Sequence, residues 1–342
     1  MTETATKRRP RICLAASGGG HLRQLLDLEP VWSRYDHFFV SEDSAISAEL
    51  AKAHVVHMMP HYGLGQALIG KPLALVKGLV ANFFQSLRLA LRETPDIVIS
   101  TGAGAVFWSS LFFRMKGAKF ILIESFARFE KPSKFGAVCR LFATDIVVQS
   151  AALSKHWPNA HFFDPFRMLD GERPAKTDST LATVGAILPF DRMSEAVIAL
   201  KKEAVITGSL LVQTGVGSAV VPTEDAVDPR CVETLTFAEI KGVLKSADLV
   251  ICHGGTGSLV TALREGCRIV AMPRRQDKGE CYDDHQFEIA TAFSARGLIE
   301  MAADVADLPA AIARAKLREP VLATTDPAAL IAWLDTKLAA YA

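Results

Sequence analysis

The stretch Leu249-Val250-Ile251-Cys252-His253-Gly254-Gly255-Thr256-Gly257-Ser258 places four apolar residues directly before a glycine-rich segment. A short apolar run that ends in glycines is typical of a buried strand followed by a tight turn into a helix. In open α/β sheets, ligands bind at the carboxyl ends of the strands, where such turns lie. The stretch therefore predicts an α/β fold and a binding site at residues 253–258.

The same arrangement recurs along the chain. In the first half, short apolar runs alternate with helical patterns, and we expect strands at 11–16, 37–40, 97–100, 119–123 and 145–148. A second series starts at Leu181, and alternation of this kind predicts parallel sheets with helices on both faces. We expect two tandem Rossmann-like domains with a cleft between them. Their bounds are 1–163 and 180–326, joined by a linker at 164–179 and followed by a helix at 327–342 that is able to pack on the first domain.

Composition narrows the class of protein. The chain has 342 residues, half of them hydrophobic, and its net charge of +1 gives no reason to expect nucleic-acid binding. Residues 1–170 carry 20 basic and 14 acidic side chains, so that half is basic and the rest is acidic. Six cysteines without a CxxC pair indicate a reduced, cytosolic protein. No signal peptide or membrane-spanning run is evident.

Two glycine turns are expected at the carboxyl edge of the first sheet. Ser17-Gly18-Gly19-Gly20-His21 follows the first strand, and Ser100-Thr101-Gly102-Ala103-Gly104 follows the third. Glycines allow a ligand to approach the backbone closely, and the N–H groups at a helix start favour an anion. Both turns are predicted to approach one phosphate group, unless each is a plain sharp turn. His21 is a candidate general base, or else a capping or solvent-facing imidazole.

A carboxylate also ends a strand of the first sheet. Glu124 follows Ile121-Leu122-Ile123, so it lies at the same edge as the glycine turns. Burial at this position would raise the pKa of Glu124 toward that of a useful general base. Pairing with Arg128 is the structural alternative.

The second half offers donors and acceptors for a nucleotide. Glycines 254, 255 and 257 clear space, while Thr256, Ser258 and the helix N–H groups suit a diphosphate. Asp284 and Gln286 are expected to bind sugar hydroxyls, unless Asp283 or Asp284 is an ordinary helix N-cap. Arg274, Arg275 and Lys278 crowd one loop, which suits a carboxylate or a solvated charge cluster.

These motifs, in their order along the chain, resemble those of inverting glycosyltransferases of the two-Rossmann (GT-B) type. The set comprises 17–21, 100–104, Thr183-Val184-Gly185, Pro189-Phe190-Asp191-Arg192-Met193, Gln213-Thr214-Gly215, 253–258 and Asp284-His285-Gln286. Relatives of this kind add N-acetylglucosamine to lipid-linked peptidoglycan precursor or to dolichol-linked acceptors. The motifs also resemble those of bacterial exopolysaccharide enzymes, including the sphingan-type glucuronosyltransferases.

The resemblance implies that the first domain holds a lipid-linked acceptor and the second a UDP-sugar. His21 is the first choice of base and Glu124 the second. The acceptor diphosphate would contact Ser17, Gly18, Gly19, Gly20, Thr101, Gly102 and Gly104. The donor would contact Gly185, Phe237 beside the uracil, His253, Gly254, Gly255, Thr256, Gly257, Ser258, Arg274, Arg275, Asp284 and Gln286. Thr261 stands where relatives usually have a ribose-binding glutamate.

The activity implied is transfer of glucuronic acid from UDP-glucuronate to a glucosyl-pyrophosphoryl-polyprenol, as a β-1,4-glucuronosyltransferase. Alternatives are transfer of glucose or N-acetylglucosamine, a UDP-sugar epimerase on the same scaffold, and a non-enzymatic membrane recruitment subunit. The mechanism implied is direct displacement by a deprotonated acceptor hydroxyl. No metal or cofactor is expected, because helix dipoles and N–H groups are able to stabilise the leaving UDP and no aspartate pair of the DxD kind stands in a suitable setting. His54, His57 and His61 have metal-like spacing, but no carboxylate cluster lies near them in the sequence.

A membrane surface is predicted in the first half. Apolar residues recur at helical spacing within 72–92, and basic residues surround them; Trp108, Phe112 and Phe113 precede a second basic stretch. The apolar positions are Leu73, Val76, Leu79, Val80, Phe83, Phe84, Leu87 and Leu91. They are either core residues or a surface that enters an anionic leaflet. The second possibility predicts a cytoplasmic protein that is peripheral on the inner face of the plasma membrane.

Overall fold

The computed structural model describes residues 9–60, 72–185, 188–224, 227–281 and 284–341. The chain divides into two compact units. The first comprises Met1–Pro165 with Asp326–Ala342, and the second comprises Phe166–Thr325. Each unit contains a parallel sheet with helices packed on it, so the α/β fold expected from the glycine-ended strands is confirmed.

Among the described residues, the first unit is built on a seven-stranded parallel sheet in the order β3-β2-β1-β4-β5-β6-β7. Its strands are β1 (Ile12–Ala16), β2 (His37–Glu42), β3 (Val56–Met59), β4 (Ile97–Gly102), β5 (Lys119–Ile123), β6 (Asp145–Val148) and β7 (His161–Phe162). Its helices are α1 (Gly20–Leu26), α2 (Glu29–Trp32), α3 (Ala45–Leu50), α4 (Pro72–Arg92), α5 (Phe107–Met115), α6 (Lys134–Cys139) and α7 (Ala151–His156).

The described part of the second unit contains a six-stranded parallel sheet and a short antiparallel pair. The strands of the second unit are β8 (Phe166–Met168), β9 (Thr177–Thr183), β10 (Ser209–Gln213), β11 (Arg230–Val232), β12 (Ala247–Cys252), β13 (Arg268–Ala271), β14 (Glu300–Met301) and β15 (Ala323–Thr325). The large sheet has the order β11-β10-β9-β12-β13-β14. The helices are α8 (Asp191–Lys202), α9 (Phe237–Ser246), α10 (Thr256–Arg264), α11 (His285–Ala295) and α12 (Leu308–Leu317).

Strand order reverses once in each large sheet. In the first unit β1 lies between β2 and β4, and in the second unit β9 lies between β10 and β12. The connections on the two sides of β1 and of β9 therefore lead away in opposite directions, which opens a crevice at the carboxyl ends of these strands. The glycine turns at 17–21, 100–104 and 253–258 lie at the carboxyl ends of β1, β4 and β12.

The segment 164–179 differs from the expected linker because it contains β8 and the start of β9. Strand β8 pairs antiparallel with β15, and Met168 lies opposite Ala323. Polar and proline-containing composition is typical of linkers, but it also suits an edge strand. The pairing partner lies more than 150 residues away, so local composition carries no trace of it.

Both faces of the first sheet are buried. Ile12 and Leu14 of β1 pack in one apolar cluster with Leu22 and Leu25 of α1. The alternate residues Cys13 and Ala15 pack in a second cluster with Leu89 of α4 and Phe113 of α5. This arrangement explains why the strands read as continuous apolar runs.

The last helix, α13 (Ala328–Tyr341), belongs to the first unit. Leu330, Leu334 and Leu338 are buried in the same cluster as Ile12 and Leu14. Asp145 at the start of β6 adds a polar attachment, because it accepts hydrogen bonds from Lys337 Nζ at 2.7 Å and from the Tyr341 hydroxyl. Burial opposes the charge of Asp145, but these two bonds outweigh burial and lower its pKa.

Asp145→Asn is expected to lower the free energy of unfolding at neutral pH by about 1.5–3 kcal/mol, since it weakens two hydrogen bonds to a buried charge. A lowered carboxyl pKa stabilises the fold above the unfolded-state value of about 3.9, and that contribution is lost as the pH falls through the folded-state pKa. The difference between wild type and variant should therefore shrink in acid. Urea unfolding from neutral to acidic pH measures it.

Asp335→Asn is the matched control, because it also removes an attachment of α13, in this case a more exposed ion pair with Arg34. Such a pair contributes at most about 1 kcal/mol. Equal destabilisation by both variants would contradict the role given to Asp145.

Candidate functional site

The two glycine turns of the first unit are joined by backbone bonds. The Ser17 N–H donates to the Gly102 carbonyl at 2.6 Å, and the Thr101 hydroxyl donates to the His21 carbonyl at 2.8 Å. The structure thus brings the predicted residues 17–21 and 101–104 together at the strand-order reversal.

The His21 imidazole is held in one orientation. Its Nδ1 lies 2.6 Å from the Thr101 carbonyl oxygen. Because a carbonyl only accepts, Nδ1 carries the proton of the neutral ring and Nε2 carries the lone pair. This tautomer is the one that a base acting through Nε2 requires.

Glycine is needed at two positions of these turns. Gly19 and Gly102 have φ values of 69° and 96°, in the left-handed region that side chains rarely adopt. A β-carbon on Gly102 would lie 3.5 Å from the His21 ring and 3.3 Å from Phe135. Both rings therefore lie close to the backbone at Gly102.

Glu124 is almost completely buried, with 2% of its surface exposed. Its carboxylate accepts from the N–H groups of Ser125 and Ser133 and from the Ser133 hydroxyl, each at 3.1 Å. Burial raises the pKa of Glu124, and these bonds oppose the rise. Arg128 also lowers this pKa through its charge, but the hydrogen bonds to Ser133 contribute more.

In the second unit, the carboxyl ends of β9 and β12 carry the residues predicted to bind a diphosphate. Cys252 lies opposite Thr183 in the sheet, so the turns at Gly185 and at residues 253–255 are neighbours. The His253 ring fills the space between them. A β-carbon on Gly185 would lie 2.9 Å from this ring, and one on Gly255 would lie 2.3 Å from its Nε2.

His253 is a neutral, buried side chain. Burial, reinforced by the positive charge of Arg274, lowers its pKa to about 3. Its Nδ1 faces the Thr183 carbonyl at 3.4 Å. The imidazole therefore sets the distance between two backbone turns and carries no charge at neutral pH.

The start of α10 is suited to an anion. Gly255 occupies the N-cap position without a side-chain hydrogen bond, so the first amides of the helix are not capped from within. Thr256 and Ser258, which carry hydroxyls, lie in the first turn of this helix. The Thr261 hydroxyl instead donates to the Gly257 carbonyl at 2.6 Å, within its own helix.

Arg274 binds protein carbonyls. Its Nη2 donates to the carbonyls of Val184 and Leu188 at 2.8 and 2.6 Å, and its guanidinium lies over the Phe190 ring. Burial lowers the pKa of Arg274 to about 10. This side chain fastens the loop after β9 to the loop after β13.

The other two basic residues of that loop are paired with acids. Arg275 makes a two-point contact with Asp277, at 2.9 and 2.6 Å, and Lys278 lies 2.7 Å from Asp304. The basic residues of this loop, expected to suit a carboxylate or to form a solvated charge cluster, are therefore engaged with groups of their own unit. The acidic partners follow at irregular distances along the chain, so the basic residues alone gave an incomplete picture.

Three further predicted donor residues have distinct surroundings. Asp284 accepts from the Gln276 N–H at 3.1 Å, and its side chain makes no capping bond to α11. Gln286 is buried and accepts from the Arg274 N–H at 3.2 Å. Phe237 starts α9 with 63% of its surface exposed, as a stacking ring requires. Asp283 lies outside the described residues.

An ion-pair network beside this site was not singled out from sequence. Arg192 makes a two-point contact with Glu280 at 2.6 and 2.8 Å and also bonds to Asp304 at 2.5 Å. It ties the start of α8 to the loop after β13. The motif at 189–193 pointed to Arg192, but its acidic partners lie 88 and 112 residues further on.

The histidines with metal-like spacing do not gather. His54 contacts His37 at 3.2 Å, whereas His57 pairs with Glu93 at 3.3 Å, and His61 lies outside the described residues. Within the part of the chain that the structure describes, no group of three or more His, Cys, Asp or Glu side chains is placed to hold a metal ion.

Solved structures share this architecture over nearly their whole length. The glycosyltransferase of kitacinnamycin matches with a TM-score of 0.64 at 15% identity, covering 98% of this chain and 96% of that one. Acinetobacter baumannii MurG matches with 0.58 at 15% identity, covering 89% of each chain. The fold is that of GT-B glycosyltransferases. Arabidopsis thaliana UGT89C1, solved with UDP, matches this GT-B chain with 0.59 at 14% identity, covering 96% and 94%.

Residues 183–337 match the family model of the glycosyltransferase family 28 C-terminal domain. The match begins at the end of β9 and contains every predicted donor residue of the second unit. Among curated proteins, no sequence matches the chain. The chain thus has the fold of GT-B glycosyltransferases, and its C-terminal part is similar to the family 28 C-terminal domain.

Gly255→Ala is expected to lower the free energy of unfolding by about 1–3 kcal/mol, because the new β-carbon would overlap the His253 ring. Gly257→Ala is the matched control two residues away, where a β-carbon would meet open space. It should leave stability unchanged or raise it by about 0.5–1 kcal/mol through helix propensity. Thermal unfolding measures both, and a neutral Gly255→Ala variant would contradict the packing described here.

Proposed function

We propose that the protein transfers a sugar from a UDP-sugar to a sugar linked to polyprenyl pyrophosphate, with inversion. The observation that carries the donor half is the uncapped start of α10 beside Gly255. Amides and a helix dipole at this place stabilise a diphosphate and the negative charge that UDP gains as it leaves. The complex of UGT89C1 with UDP supports this class of donor.

The acceptor half rests on the joined turns of the first unit. Glycines 18–20 and 102 leave the backbone accessible, and His21 lies at their junction. We assign to His21 the removal of the acceptor hydroxyl proton through Nε2. The deprotonated oxygen then attacks the anomeric carbon while the bond from that carbon to UDP breaks.

Glucuronic acid is the proposed sugar, and this choice rests on the sphingan-type resemblance of the motifs. The loop after β13 adds no support, because Arg274, Arg275 and Lys278 are engaged with protein groups. Transfer of glucose or N-acetylglucosamine is the alternative, and a transfer assay with each UDP-sugar distinguishes the three donors.

The acceptor lipid implies contact with a membrane, and α4 offers the surface. Leu73, Val76, Val80, Phe84 and Leu91 are exposed along this helix, with Lys77, Arg88 and Arg92 beside them. Phe83 instead packs against Trp108 and Phe112. In the described residues, no helix is long and apolar enough to cross a membrane. We propose a peripheral attachment at the inner face of the plasma membrane.

A radiolabelled transfer assay tests the activity. The purified chain is given UDP-glucuronate, UDP-glucose or UDP-N-acetylglucosamine with a short-chain glucosyl-pyrophosphoryl lipid in detergent. We expect label in the lipid fraction from UDP-glucuronate. His21→Ala should bind UDP as tightly as wild type but transfer about 10²- to 10⁴-fold more slowly.

Conversion of the UDP-sugar without any lipid acceptor would replace the proposal by an epimerase. Absence of both reactions, with lipid binding intact, would support the recruitment subunit instead. A fully active His21→Ala variant would overturn the assignment of the base.

Flotation with vesicles of phosphatidylglycerol and phosphatidylcholine tests the membrane surface. Leu73→Ser combined with Leu91→Ser removes two side chains that are 84% and 78% exposed on α4. Loss of their burial in the membrane should weaken binding by a factor on the order of 30 or more. The control pair is Leu317→Ser with Val221→Ser, which are similarly exposed in the second unit. Equal weakening by both pairs would contradict the surface.

A further inference from the structure

Glu124 is a buried acid to which the proposed reaction assigns no step. Its two carboxylate oxygens accept three hydrogen bonds, from the Ser125 N–H, the Ser133 N–H and the Ser133 hydroxyl. All three partners are donors, so the carboxylate is bound in its role as acceptor. Its 2% exposure leaves little surface for a substrate to approach.

The Glu124 carboxylate holds the two ends of one loop together. Ser125 follows directly after Glu124, whereas Ser133 immediately precedes α6, so one side chain fixes both ends of the segment 126–132. A second anchor holds the middle, because the Ser150 hydroxyl donates to the Phe129 carbonyl at 2.8 Å. Phe129 itself is buried. The whole segment is thus fastened at three points.

The start of α6 lies against the same carboxylate. A β-carbon on Gly136 would be 2.1 Å from Oε2 of Glu124, so only glycine leaves room for it. The Ser133 hydroxyl donates to Glu124 and accepts from the Gly136 N–H at 2.8 Å. Through these two hydrogen bonds, Ser133 links the Glu124 carboxylate directly to the first turn of α6.

That first turn carries Phe135, which lies over Gly102. A β-carbon on Gly102 would be 3.3 Å from the Phe135 ring and 3.5 Å from the His21 ring. The two rings therefore lie over the same glycine. Glu124 is thus connected through Ser133 and the start of α6 to Phe135, whose ring lies near the same glycine as the His21 ring.

We infer that Glu124 is a positioning residue for His21: its buried carboxylate fixes Ser133 and the start of α6, and so holds Phe135 over Gly102 beside the imidazole. The inference rests on the proposed function only for its effect on the rate. It assigns to Glu124 no proton transfer and no contact with either substrate.

Two variants loosen this connection in different ways. Glu124→Gln keeps the shape of the side chain but replaces one acceptor oxygen by an NH2 group. At least one of the three donors therefore loses its acceptor. Ser133→Ala keeps the carboxylate and removes the hydroxyl between Glu124 and α6. Ser150→Ala is the matched control. Ser150 is also a helix N-cap whose hydroxyl bonds to the same loop, but it bonds to the middle of the loop, at Phe129, and not to Glu124.

The first readout is independent of activity. The His21 ring resonances are assigned by NMR with the His21→Ala protein as reference. We expect Glu124→Gln and Ser133→Ala to shift these resonances and their titration midpoint, and Ser150→Ala to leave them unchanged. Unchanged His21 resonances in both test variants would overturn the inference. If Glu124→Gln fails to fold, Ser133→Ala alone decides.

The second readout is a double-mutant cycle in the transfer assay. A displacement of about 1 Å costs on the order of 10²-fold in rate, so Glu124→Gln should lower kcat by about 10- to 100-fold while KM for the UDP-sugar stays constant. In the His21→Ala background the same change should cost less than about twofold, since the residue that it positions is gone. An equal loss in both backgrounds would show that Glu124 acts independently, and would overturn the inference. A chain that transfers no sugar would overturn the proposed function, whereas the NMR readout would still test the coupling.

Discussion

Space that a β-carbon would occupy is the constraint on which the site of each unit depends. Gly185 and Gly255 leave room for the His253 ring, and Gly136 leaves room for the Glu124 carboxylate. In each case a polar side chain fills the volume next to backbone at the carboxyl edge of a sheet. Close packing transmits even small changes of volume, so these glycines help to fix the positions of His253 and Glu124.

The fold was accessible from sequence because its signal is local. Strands such as β12 read as apolar runs ending in glycine, and both sheets of the fold follow from the alternation with helices. The antiparallel pair of β8 with β15 was missed, because Met168 and Ala323 are neighbours only in the folded chain. Composition near Met168 is that of a linker and gives no hint of a partner.

The site was accessible in part for the same reason. Turns identify themselves by glycine, so residues 17–21, 101–104 and 253–258 lie where expected, at the edges of the sheets. The sequence does not show which group a single charged residue contacts in the folded protein. The structure adds contacts that the sequence does not show: Arg274 donates to backbone carbonyls, and Glu124 accepts hydrogen bonds from Ser133.

The return of α13 to the first unit also affects how the chain is made. Residues 9–165 are synthesised before the second unit, but Leu330, Leu334 and Leu338, which complete their apolar cluster, are synthesised after it. The apolar surface that α13 covers stays exposed to water during the synthesis of the entire second unit. The first unit is therefore the one exposed to aggregation during translation, and the second, a continuous segment, is the one able to finish folding earlier.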